Sequence, residues 1–205
     1  MFQSADNGES LSRAAKTLNL PKAEVKSNNG LVALRRVGAL PGAANWTHEY
    51  GDSSNSLMSQ DSLVKAPLGV LWFGGPSSSG DLFYNRHYWG PSMAVVGGRM
   101  FIQGPSKMTA VDVYTGRILW QTPIKEEKEN NPGRAGNDFE RVLAGFHFLV
   151  VEDGMYIANR KTCLRLDPAT GKLLGTFTLP DKQAEWGRIR VWEDTLIVNS
   201  YRDVE

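Results

Sequence analysis

The feature that most limits how this chain can fold is an internal repeat. Sliding the sequence by 55 residues sets Val95 and Val96 on Val150 and Val151, Met100 on Met155, and Ile102 on Ile157. The same shift sets Asp112 on Asp167, Thr115 and Gly116 on Thr170 and Gly171, and Leu119 on Leu174. These are eight identities in the 26 columns from 95 to 120, without a gap. Phe101/Tyr156, Val111/Leu166, Arg117/Lys172 and Ile118/Leu173 add conservative pairs. A repeat of this kind is a supersecondary unit whose apolar face is covered by its neighbour, so the fold is an array of units.

The texture inside one unit is that of short strands. "SMAVVGGRMFIQG" holds two apolar runs around Gly97-Gly98, and "KMTAVDVYTGRILWQTPI" holds two more around Thr115-Gly116. Strands with a turn every eight to twelve residues indicate an all-β sandwich, barrel or propeller. Each whole unit reads as four strands, and residues 92–122 and 147–178 are expected to form two superposable antiparallel sheets. "IRVWEDTLIVNS" (189–200) resembles "FLVVEDGMYIAN" (148–159) and starts a third unit. The apolar run ending at Leu71-Trp72 is a candidate for the last strand of an earlier one. The chain thus holds about two whole and two partial units.

"AVDVYTGRILW" (110–120) shows what one unit needs. An Asp before a tight turn accepts backbone N–H groups a few residues on, which fits Asp112 and Asp167. Gly116 and Gly171, after Thr115 and Thr170, supply the positive φ that ends such a turn. Ala110 is small so that a backbone or ring can come close. Trp120 is a large apolar wedge with one N–H, suited to a gap between sheets.

The pattern of Ala110, Asp112, Gly116 and Trp120 resembles the tryptophan-docking repeat of the quinoprotein (PQQ-like) β-propeller family, grouped with WD40- and YVTN-like folds. The second unit keeps Asp167 and Gly171 but has Arg165 and Gly175 at the Ala and Trp positions. The resemblance covers residues 68–205, and more loosely "NWTHEYGDSSNS" (45–56), which is similar to the entry segment of large bacterial propeller proteins of planctomycete type. It implies an all-β partial propeller of four-stranded antiparallel blades in a family that closes with seven or eight. It also implies a periplasmic or extracytoplasmic setting. Open blades leave sheet edges exposed, so a piece of this size is expected to self-associate.

The resemblance bears on chemistry as well. Members that bind the quinone PQQ hold a calcium ion with Glu, Asn and Asp side chains and use an Asp base, and many place a disulfide of adjacent cysteines on the cofactor. Cys163 is the one cysteine in the chain, so that disulfide is excluded. No carboxylate matches the base position. The expectation is therefore no cofactor, no metal and no catalytic residue. Such a chain would act as a binding or scaffold module for protein or polysaccharide, like the propeller lipoprotein of outer-membrane assembly. The alternative is part of a PQQ- and calcium-dependent dehydrogenase.

Other motifs are weaker. His48, His87 and His147 are far apart, with no HxxxH or CxxC spacing for a metal. Arg86, His87 and Trp89 in "FYNRHYWGP" form a candidate ligand rim for a carboxylate or sugar face, against a plainer reading as rim packing. The charged stretch 125–148 exceeds what a turn needs and reads as a solvated insert or a recognition loop. "GGPSSSG" (74–80) lacks the lysine of a phosphate-binding loop.

The remaining chain sets the organisation. Residues 1–37 read as a helix plus a β-hairpin, with Ser10 as N-cap and Asn29-Gly30 as the turn. They resemble the closing helix and hairpin of a class I methyltransferase domain, without that fold's glycine-rich loop. Residues 38–67 are rich in Gly, Pro, Asn and Ser and read as a linker or irregular wrap. With 23 basic and 22 acidic residues the net charge is +1, which gives no whole-chain case for nucleic acid. No apolar run reaches the length of a membrane span, and "MFQSADNGES" lacks the basic and apolar regions of a signal peptide.

Overall fold

The structure is a computed structural model that describes residues 2–3, 8–28, 31–73, 82, 93–104, 106–124 and 148–201. It divides into two compact units, Met1–Leu40 and Pro41–Glu205.

The first unit holds β1 (Phe2–Gln3), α1 (Glu9–Thr17), β2 (Ala23–Asn28) and β3 (Leu31–Arg36), with sheet order β1-β3-β2. The hairpin register sets Ala23 opposite Arg36 and Asn28 opposite Leu31. The Asn29-Gly30 pair itself lies outside the described residues. The helix starts earlier than its hydroxyl suggests: Gly8, not Ser10, is the N-cap, at φ 89°. A Cβ there would lie 2.7 Å from Cγ1 of fully buried Val32, so helix and sheet approach too closely for a side chain. Glu9 in the first turn and Lys16 in the last complement the helix dipole.

The second unit is built of antiparallel sheets. β4 (Met93–Val96), β5 (Arg99–Gln103), β6 (Lys107–Asp112) and β7 (Ile118–Pro123) form one four-stranded sheet in sequence order. β8 (Phe148–Val151), β9 (Gly154–Asn159), β10 (Thr162–Leu166) and β11 (Leu173–Thr178) form the next. A shift of 55 carries the start of β4 onto that of β8, and likewise β5 onto β9, β6 onto β10 and β7 onto β11. β12 (Glu185–Trp192) and β13 (Thr195–Tyr201) pair as the third start. The apolar run 68–73 departs from its strand reading. It has no ladder partner among the described residues.

Strand alternation explains the packing, because successive side chains face opposite neighbours. Phe101, Met108 and Ala110 of the first sheet pack with Phe148, Val150, Met155 and Ile157 of the second. The intervening residues Leu149, Tyr156, Ala158 and Cys163 pack the other way, against Trp186 and Ile189 of β12. The first strands β4, β8 and β12 lie against one another in turn. The first two sheets are thus stacked layers, each apolar on both faces.

Candidate functional site

The turn between the third and fourth strands has the same geometry in both blades. Asp112 Oδ1 accepts the N–H groups of Tyr114 and Thr115, each at 3.0 Å. Asp167 Oδ1 accepts those of Ala169 at 2.6 Å and Thr170 at 3.1 Å. Gly116 and Gly171 then donate to the Asp carbonyls at 2.8 Å, with φ of 68° and 71°. Both carboxylates are committed to holding backbone.

A tryptophan closes over each turn. The Trp120 indole N–H donates to the Pro168 carbonyl at 3.2 Å, and its ring covers Gly171, where an added Cβ would lie 2.7 Å from Cδ2. Thr122 Oγ1 donates to the Gly171 carbonyl at 2.7 Å from the same strand. Trp72 repeats this one blade earlier. Its indole N–H donates to the Val113 carbonyl at 2.9 Å, and its ring covers Gly116 with the same 2.7 Å approach. Val113 and Pro168 are equivalent positions under the 55-residue shift. Trp72 thus stands where the fourth strand of a preceding blade would place it. Its own upstream positions, Ser62, Val64 and Leu68, carry none of the Ala, Asp and Gly of the motif, so only its place at the end of an apolar run marks it.

Ala110 is small for a visible reason. It lies opposite Phe101 on one side and Trp120 on the other, and those two rings meet with centroids 6.0 Å apart. The second blade solves the same spot differently. Arg165 lies opposite Tyr156 and Gly175. Its guanidinium stands 5.8 Å from the Tyr156 ring centroid, and Nη2 donates to Asp153 Oδ2 at 2.8 Å. The Tyr156 hydroxyl donates to the same carboxylate oxygen at 3.0 Å. The large side chain has moved to the centre and glycine has taken the flank.

A further set of ties was not foreseen from the residues. Trp46 exchanges backbone hydrogen bonds with Val95 of β4, at 2.7 and 2.8 Å. The carbonyl of Thr47 accepts the N–H of Val150 in β8 at 3.0 Å. His48 Nε2 accepts the N–H of Val191 in β12 at 3.3 Å. Val95, Val150 and Val191 hold the same place in three successive repeats. Three consecutive residues therefore bind three consecutive first strands. Residues 45–57, part of the stretch read as linker or wrap, pack on the sheets. Two of the three ties use backbone alone, which leaves no side-chain signature in the sequence.

His48 is buried, and its surroundings fix its tautomer. Nε2 faces a donor and must be bare, so Nδ1 carries the proton toward Thr47 Oγ1 at 2.8 Å. That hydroxyl donates on to the Gly51 carbonyl at 3.3 Å. Burial, and next the charge of Arg190, hold His48 below the usual imidazole range. Arg190 Nη1 donates to the Ser53 carbonyl at 2.9 Å and to Asn55 Oδ1 at 2.6 Å. Asp52, whose carboxylate is held low first by Ser56 and then by the N–H of Ser54, lies near enough to oppose Arg190 in part. Cys163 is fully buried, and burial pushes its thiol up to about 12.

The candidate rim residues Arg86, His87 and Trp89, with His147 and the charged stretch 125–147, lie outside the described residues. Among the described residues no three His, Cys, Asp or Glu side chains come together as metal ligands. Among the described residues no helix is long and apolar enough to cross a membrane.

No protein-family model and no curated protein matches the chain. Among solved structures, a europium-containing methanol dehydrogenase matches with a TM-score of 0.52 at 18% identity, over 78% of this chain and 28% of that one. A quinohemoprotein alcohol dehydrogenase from Pseudomonas putida matches with a TM-score of 0.38 at 21% identity, over 54% of this chain and 16% of that one. BamB from Moraxella catarrhalis matches with a TM-score of 0.38 at 14% identity, over 55% and 36%. At these identities the likeness is one of fold. The successive four-stranded sheets of this chain are blades of a β-propeller fold like that of the methanol dehydrogenase.

Proposed function

We propose that this propeller segment is a non-catalytic scaffold that presents its loops and rim to a protein or polysaccharide ligand. The observation that supports this most is the use made of its reactive groups. Asp112 and Asp167 hold turns, His48 holds a strand N–H, and Cys163 lies in the core. Trp72 and Trp120 act as docking residues that fix each blade against the next turn. That gives a rigid frame in which Asp112, Asp167, His48 and Cys163 all serve the structure. For this reading, Ala110, Asp112, Thr115, Gly116 and Trp120, with Asp167, Thr170 and Gly171, are structural, and the ligand rim falls to Arg86, His87 and Trp89.

A second reading, part of a quinoprotein dehydrogenase, is favoured by the fold shared with the methanol dehydrogenase. The two separate in one experiment. The protein is mixed with PQQ and calcium, and in parallel with PQQ and europium, then passed over a sizing column. The scaffold reading expects no quinone absorbance in the protein peak. Stoichiometric co-elution with either metal would overturn it in favour of the dehydrogenase.

A further inference from the structure

We propose that residues 45–57 form an acid-sensitive strap across the first strands of three blades, with His48 as the tie that titrates. This goes beyond the scaffold reading and does not depend on what the scaffold binds. The ties at Trp46–Val95 and Thr47–Val150 join backbone to backbone and are blind to pH between 5 and 8. The tie at Val191 is made by an imidazole nitrogen, so it exists only while Nε2 is bare. Adding a proton there turns the acceptor into a donor that faces another donor.

The surroundings of the ring set the direction. Burial, and next Arg190 of β12, disfavour a positive charge on it, while Asp52 of the strap and the backbone at Val191 oppose this in part. Arg188 of β12 pairs with Glu49 at 4.0 Å, and Glu185 at the far end of β12 pairs with Lys161 at 3.6 Å. β4 (MAVV) and β8 (FLVV) carry no ionisable side chain. His48 is thus the one histidine among the described residues of this seam. Protonation breaks the tie at Val191, while Arg190 still holds β12 to Ser53 and Asn55 of the strap and the first two blades keep their backbone ties.

Hydrogen exchange of the full chain tests this at single amides between pH 7 and pH 5. Below about 6.5, protection at Val191 should fall by up to about tenfold per pH unit after correction for intrinsic rates. Protection at Val95 and Val150 should hold. His48→Gln keeps an acceptor oxygen near the position of Nε2 but cannot titrate, so its Val191 protection should stay level. Equal losses at all three valines in both proteins, or no loss at Val191 in the native protein, would overturn the proposal. If His48→Gln does not fold, nitrogen NMR of the native imidazole decides. A neutral ring with its proton on Nδ1 at pH 7 supports the strap, and a proton on Nε2 contradicts it.

Discussion

The indole N–H of Trp120 donates to the carbonyl of Pro168, 48 residues further on and in the next blade, at 3.2 Å. One side chain thereby links two separate four-stranded sheets. The ring fills the space above Gly171 and packs on Phe101. Trp120→Ala should cost about 3–5 kcal/mol in urea unfolding, the range for emptying a site of this size. Trp120→Phe should recover most of that and lack about 1 kcal/mol for the missing hydrogen bond.

Two glycines in the second blade separate close approach from simple absence of a side chain. Gly171 has φ 71° and the Trp120 ring above it, whereas Gly175 has nothing within 4 Å of an added Cβ. Gly171→Ala should destabilise by more than about 1 kcal/mol through backbone strain and collision. Gly175→Ala should be neutral or stabilise by about 0.5 kcal/mol, because it stiffens the unfolded chain. Thermal melts of the two variants should move in opposite directions or differ plainly.

The buried imidazole makes stability depend on pH in a definite sense. Folding holds His48 below its unfolded value, first by desolvation and then by Arg190. The folded state then binds fewer protons, so its contribution is complete above about 6.5 and drains as pH falls toward the lowered folded value. Urea midpoints measured from pH 8 to pH 5 should fall more steeply for the native protein than for His48→Gln.

Cys163 should be inert while the chain is folded. Its thiol is fully buried and held near 12, so little thiolate is present at pH 8. A disulfide reagent should modify it at least about 100-fold more slowly than in urea.

Much of the blade was legible because its demands are local. Asp112, Thr115 and Gly116 must sit at fixed offsets for a carboxylate to reach two backbone N–H groups, and the offsets recur at Asp167, Thr170 and Gly171. Trp120 was legible through its motif, while Trp72 makes the same joint with no motif ahead of it. The seam at Trp46, Thr47 and His48 left little trace. Backbone atoms make two of its ties, and the third needs only a bare nitrogen at the right height. Ser10 misled at the first helix because the hydroxyl pattern carries no information about how near Val32 comes to Gly8.

The most direct test of blade-to-blade clasping is hydrogen exchange at the indole nitrogens, assigned by Trp72→Phe and Trp120→Phe. Trp72 and Trp120 both donate to a carbonyl in the next turn, while Trp192 is 58% exposed. The account predicts slow exchange at Trp72 and Trp120 and fast exchange at Trp192. Exchange at Trp120 as fast as at Trp192 would contradict it.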